Sequence, residues 1–215
     1  MLIARPRLAN IYRLTSRPRL AIMSYYHIYN RGAHKAPIFL DKDDYWRMIK
    51  LLYIANNIER FNINNLGNKN IFQVPRKNTL VDIVCYCLMP NHIHIALKAE
   101  SEADITKFMH KLCTGYTMYF NIKHDHSGTV WQGPYKRKIS FEDIMDMKRL
   151  VNYIHLNPYG IKEPNMTKEA KKEHPHEAWA YSLNYDFSSL KDFLREASPR
   201  EQKTILSENE LEKWR

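Results

Sequence analysis

The stretch that most limits what this chain can fold into is residues 85–98, CYCLMPNHIHIALK. After Asn91 the apolar and other side chains alternate, which predicts a half-buried strand. Side chains two apart on a strand share a face. His92 and His94 therefore stand side by side while Ile93, Ile95 and Leu97 enter a core. Two imidazoles on one rigid strand are half of a divalent-metal site. Two solvent-facing histidines on an ordinary sheet give the same pattern, so the reading turns on what else the chain can bring to them.

The preceding run, residues 80–88 (LVDIVCYCL), predicts a strand that joins the histidine strand through Met89-Pro90-Asn91 as a hairpin. Cys85 and Cys87 are also two apart, which permits a rival Cys2His2 zinc site across that hairpin. Inert burial is the commoner fate of such cysteines. Upstream, residues 25–30 (YYHIYN) predict a first strand closed by Arg31-Gly32. Residues 41–60 predict a helix with Asp41, Asp43 and Asp44 in its N-terminal turn. The Asn-rich residues 62–79 predict a long loop. Residues 101–123 predict a helix opened by Ser101 and Asp104 as a capping-box-like start. Its Tyr116 and Tyr119 fall in an apolar stripe and are expected in the core. Between this helix and the next, residues 128–140 mix Trp131 and Tyr135 with Lys136, Arg137 and Lys138. Cations for phosphate and rings for base stacking suit a single nucleic-acid strand; a sheet edge guarded by lysines is the alternative.

Residues 141–157 (FEDIMDMKRLVNYIHLN) supply the second element. Ser140 can cap this helix and Pro158 stops it. Ile144, Met147, Leu150, Val151 and Ile154 make the buried stripe. Tyr153 and Asn157 are four apart and share a face, beside a helix end whose carbonyls favour a cation. A phenol and an amide oxygen can thus be aimed together at a metal, with His155 pointing elsewhere.

The motifs NRG, MPNHIH, WQGPYK and VNYIHLNP, in that order, resemble the HUH-type single-tyrosine transposases, above all the REP-associated tyrosine transposases allied to small single-strand insertion sequences. The resemblance spans about residues 25–185. It implies an α+β fold, a ferredoxin-like or RRM-like antiparallel sheet with helices on one face. It also implies His92 and His94 as metal ligands, Asn157 as the third ligand where relatives carry Gln or similar, and Tyr153 as nucleophile. The expected activity is a metal-dependent single-strand DNA endonuclease and strand transferase working through a 5′-phosphotyrosine, with Mg²⁺ or Mn²⁺ as cofactor. The expected partner is single-stranded DNA, a hairpin with a flanking strand, bound by a monomer or homodimer in a prokaryotic cytoplasm. Arg31, Trp131, Gln132, Tyr135, Lys136, Arg137 and Lys138 are the candidate DNA contacts. A non-enzymatic RRM-like single-strand binder and a zinc-stabilised DNA-binding module are the alternatives.

Charge agrees with a polyanionic partner. The net formal charge is +10, but the five arginines of residues 1–23, unaccompanied by any acid, supply half of it. That segment suits a transit peptide, a basic arm, or an upstream extension of a chain that starts at Met23, and the organised pattern begins at Ser24. Three cysteines make no disulfide framework, and no apolar run is long enough to span a membrane. The expected organisation is a basic extension at 1–23, a catalytic domain at 24–160, and a C-terminal loop and helical appendage at 161–215. The appendage includes a helix over residues 199–214, opened by Ser198-Pro199.

Overall fold

A computed structural model describes residues 24–59, 70–76, 78–140, 144–164, 175–194 and 200–214. Four antiparallel strands form the centre: β1 (Ser24–Arg31), β2 (Asp82–Met89), β3 (His92–Ala99) and β4 (Lys136–Ser140), in the order β2-β3-β1-β4. The expected hairpin is there, with Met89 opposite His92 and Cys87 opposite His94.

Alternation sorts β1 and β3 cleanly. Tyr26, Ile28, Ile93, Ile95 and Leu97 join one core, while His27, His92, His94 and Ala96 fall on the other side. β2 is a nearly unbroken apolar run, and a register shift between Ile83 and Cys85 puts Val84 and Cys85 into the same cluster. A strand apolar on both sides needs cover on both sides. Helices α1 (Lys42–Ile54) and α2 (Glu102–Lys123) cover the first face. Helix α3 (Ile144–His155) and the last helix, α6 (Glu208–Trp214), cover part of the second. The sheet is thus α+β and antiparallel as expected, but helices lie on both faces rather than one, and β3 is buried along most of its length rather than half-buried.

Helix α1 opens on a capping box: the Asp44 amide donates to Asp41 Oδ1 (3.1 Å) and the Asp41 amide to Asp44 Oδ2 (3.3 Å). It ends at Ile54, short of the expected Arg60, because Asn56 leaves it to clamp the entry to β2. Asn56 Nδ2 donates to the Val81 carbonyl (2.9 Å) and Oδ1 accepts from the Val81 amide (3.0 Å). Helix α2 follows its expected span, capped by Ser101, with Tyr116 fully buried and its hydroxyl donating to the Ile38 carbonyl. Phe141, the Ser140 side chain and the segment 1–23 lie outside the described residues.

The C-terminal residues are bound into the sheet. Ser188 bridges Cys87, and backbone bonds run from Leu88 to Phe187 and from Ser189 to Tyr86, closing the exposed edge of β2. Two short helices, α4 (Tyr159–Lys162) and α5 (Pro175–Leu183), lie between α3 and this segment; α5 contains His176, exposed in its first turn. The expected last helix is two pieces, a 3-10 turn at Glu201–Ile205 and α6. Glu210 of α6 accepts from Tyr25 (2.8 Å), Lys98 (3.1 Å) and Trp214 (2.8 Å), which fixes α6 across the second face.

Candidate nucleic-acid-processing site

The second face is covered unevenly. Apolar residues of β2 meet Met147, Val151 and Ile154 of α3, but over β1 and β3 the same face carries a cluster of rings. Tyr153, at the C-terminal end of α3, sets its ring edge-on to His94 (centroids 5.6 Å apart) and to His27 (5.9 Å). The phenol remains 39% exposed. His92 and His94 are perpendicular neighbours with centroids 4.9 Å apart. The two strand histidines and the helix tyrosine, 59 positions apart at the nearest, are thus gathered on one patch because α3 lies across β2 and β3.

Hydrogen bonds orient the histidine rings. Asn91 Nδ2 donates to the Lys35 carbonyl (3.0 Å), which turns Oδ1 toward His92 Nδ1 at 2.7 Å. An amide oxygen only accepts, so the His92 proton sits on Nδ1 and the Nε2 lone pair is left for a ligand. The Lys35 carbonyl is delivered by a turn in which His34 (φ 54°) and Lys35 (φ 63°) are both left-handed, a conformation that costs free energy in non-glycine residues. Gly32 makes the turn sterically feasible, since a Cβ there would lie 2.3 Å from the Ala36 carbonyl oxygen. Burial, helped by the Arg31 charge, lowers the His92 pKa to about 4; burial with its two histidine neighbours lowers that of His94 to about 2. Both rings are neutral at physiological pH, the form that binds metals.

Asn157 follows the end of α3 instead of lying within it. Its Nδ2 donates to the Tyr153 carbonyl (2.8 Å), capping the helix end, and Oδ1 is the atom left with capacity to ligate. Burial raises the Tyr153 pKa, and the Asn157 side chain and the Lys138 charge offset part of that rise. His155 points away as expected: it is buried, with Nε2 2.9 Å from Ser189 Oγ, and burial lowers its pKa to about 3.

The candidate DNA contacts divide. Register pairs Lys136 with Tyr29 and Lys138 with His27, so these two lysines share the ring-bearing face. Arg137 lies on the opposite face, 2.7 Å from Glu102. Arg31, opposite His92, is exposed at the end of β1, and Gln132 is exposed beside it. Trp131 does not fit base stacking. It is 5% exposed and sits in the first core, with Nε1 donating to the Cys113 carbonyl (3.4 Å). Its bridge to Gly32 turns the indole inward and Gln132 outward. Tyr135 is half-buried against the same core, its hydroxyl 3.1 Å from Thr106 Oγ1.

The cysteine alternative finds no support. Cys85 and Cys87 do share the face of His94, but burial raises both thiol pKa values and Cys87 Sγ donates to Met89 Sδ (3.7 Å). Among the described residues, the group of three or more His, Cys, Asp and Glu side chains whose donor atoms all lie within 4.8 Å of one another is Asp41, Asp44 and His124. That group lies at the α1–α2 end of the other face, where Lys123 Nζ already sits 2.6 Å from Asp41 and 2.9 Å from Asp44. It is a charge-neutralised helix cap, separate from the histidine pair.

The sequence reading passed over two residues of the patch on β1, Tyr29, whose ring lies 6.0 Å from that of His94, and His27. Their signal was present: Tyr25, His27, Tyr29 and Arg31 alternate on β1 as His92 and His94 do on β3.

The family model of IS200-like transposases matches residues 65–157, a segment that holds His92, His94, Tyr153 and Asn157. The family resemblance read from the motifs is borne out over that segment, where the chain is similar to the IS200-like transposases. No curated protein matches. Among solved structures, a REP-associated tyrosine transposase bound to a REP hairpin shares the fold, with a TM-score of 0.51 at 13% identity over 82% of each chain. A candidate transposase from Deinococcus radiodurans R1 aligns with a TM-score of 0.37 at 15% identity, over 72% of this chain and 95% of that one. Among the described residues no helix is long and apolar enough to cross a membrane.

Proposed function

We propose that this transposase cuts and rejoins single-stranded DNA through Tyr153, at a divalent-metal site built on His92 and His94. The observation that carries the reading is the exposed Tyr153 ring set edge-on to His94, with the Lys138 charge acting on the phenol. In the reaction, the Tyr153 oxygen bonds to phosphorus, the P–O3′ bond breaks, and the freed 3′ oxygen takes a proton. The 5′-phosphotyrosine keeps the ester-bond energy, so a later 3′-OH can reverse the step and join new ends.

The donor set fits Mg²⁺ or Mn²⁺. His92, its Nδ1 engaged by Asn91, leaves Nε2 available, His94 offers a second ring nitrogen, and Asn157 Oδ1 is the third candidate; nitrogen ligands favour Mn²⁺. A bound cation would polarise the phosphoryl oxygen and help hold the phosphate in line. The chain's own contribution is placement. α3 fixes the phenol, Asn91 fixes His92, and Lys136 and Lys138 offer charge to the phosphate backbone along β4. The hairpin bound by the structural neighbour suggests a hairpin with a flanking single strand as substrate. Residues 24–160 carry these groups and form the catalytic domain of this reading, with the C-terminal segment bracing it.

The test is a labelled single-stranded hairpin library incubated with the protein and Mg²⁺ or Mn²⁺, run on a denaturing gel. A covalent protein–DNA adduct is expected, and His92→Ala and His94→Ala should each remove it while leaving much of the DNA binding. Cleavage that persists in both variants, or tight binding with no adduct on any substrate, overturns the reading.

A further inference from the structure

We infer that His27 is a positioning residue that sets the tautomer of His94 and thereby makes His94 competent to bind a metal; the inference rests on the metal reading above.

The two strand histidines are held by unlike partners. His92 Nδ1 faces Asn91 Oδ1, which can only accept. His94 Nδ1 faces another imidazole nitrogen, His27 Nε2, at 2.9 Å, with the rings nearly parallel at 28°. Two ring nitrogens this close share one proton between them, and there are two ways to place it. If His27 Nε2 carries the proton, His94 Nδ1 accepts and the His94 proton sits on Nε2, where it blocks a ligand. If His94 Nδ1 carries it, His27 Nε2 accepts, His94 Nε2 is bare, and the pair His92–His94 presents two lone pairs from one strand. Only the second arrangement makes a metal site, and it requires an acceptor at the position His27 occupies.

The fold supplies that acceptor rigidly. β1 and β3 pair over eight residues, with Tyr29 opposite His94 and His27 opposite Ala96, so His27 is the diagonal neighbour of His94 on the same face. His27 is also hemmed in by Tyr29 at 5.2 Å and Tyr153 at 5.9 Å between ring centroids. The asymmetry has a consequence. Asn91 fixes His92 whether or not metal is present, whereas the His27–His94 pair can invert by moving its shared proton. His94 is therefore the ligand whose readiness depends on a neighbour.

The experiment uses the whole chain without DNA. Mn²⁺ binding is measured by calorimetry, and the ring ¹⁵N shifts of His94 are read in long-range ¹H–¹⁵N spectra of the metal-free protein. His27→Ala should weaken Mn²⁺ binding by about 10–100-fold and move His94 from the Nδ1–H to the Nε2–H tautomer. His27→Gln, whose side-chain oxygen can accept from Nδ1, should restore most of the affinity and the Nδ1–H tautomer. The inference is overturned if His27→Ala binds Mn²⁺ like the wild type, or if His94 keeps its tautomer. It is also overturned if His27→Gln is as weak as His27→Ala in a folded protein, because His27 would then be a ligand itself. His92→Ala and His94→Ala separate the two levels. If they too bind Mn²⁺ like the wild type, the metal reading fails; if they lose binding and His27→Ala does not, only this inference falls.

Discussion

The two faces of the sheet use the same residue types for opposite ends. On the face covered by α1 and α2, Tyr116 is fully buried, its hydroxyl satisfied by the Ile38 carbonyl and its pKa driven up by burial. Trp131 lies in the same core with its indole N–H on a backbone carbonyl, and Arg137 on that side is matched by Glu102. On the face crossed by α3, Tyr153 is exposed among imidazoles, and Lys138 rather than a carboxylate acts on its phenol. A buried aromatic hydroxyl held by a backbone carbonyl serves folding; a partly exposed one beside imidazoles and a cation is the kind of group that the proposed chemistry would use.

The comparison is broken most severely by Tyr153→Phe. Adduct formation and cleavage should fall on the order of 10⁴-fold or more, with stability altered by less than about 0.5 kcal/mol because the hydroxyl lies at the surface; a denaturing gel and a urea melt read the two. An adduct that survives this change would move the nucleophile elsewhere. Next in size is Trp131→Ala, which should cost about 3–5 kcal/mol of stability. Wherever the variant stays folded, single-strand affinity should be unchanged, and a specific loss of DNA binding would return Trp131 to the interface. Tyr116→Phe should cost about 1–3 kcal/mol, since it leaves the buried Ile38 carbonyl without its donor, yet the Tyr153 adduct should still form. Smallest is the contrast between Lys138→Ala and Arg137→Ala. The lysine change should lower the salt-dependence slope of single-strand binding by about 0.7, and the arginine change by less, because Arg137 is already paired. Equal slopes in the two variants would mean that both faces of β4 meet the DNA.

How much of this was legible beforehand differs from element to element. The period-2 alternation of β3 and the capping-box start and apolar stripe of α2 are local, and both came through at nearly their true boundaries. Helix α1 stopped early because Asn56 bonds Val81, a partner 25 positions away that no local pattern reveals. Trp131 and Lys138 looked alike as members of one aromatic and basic stretch. Their opposite fates depend on which way each residue of β4 and the approach to it faces, and that was fixed by pairing with β1. His27 went unremarked because its meaning lies in a diagonal neighbour 67 positions on.

The sequence by itself determined the histidine pair on one strand face and the tyrosine one helical turn before an asparagine, because each rests on spacing along a single element, and the order of its motifs carried the resemblance to a family. Only the tertiary structure decided that the rings of Tyr153, His94 and His27 meet, that Trp131 belongs to the core, and that the sheet is covered on both sides. Those outcomes depend on strand register and on which face each helix must bury, and both are settled by contacts between residues far apart in the chain.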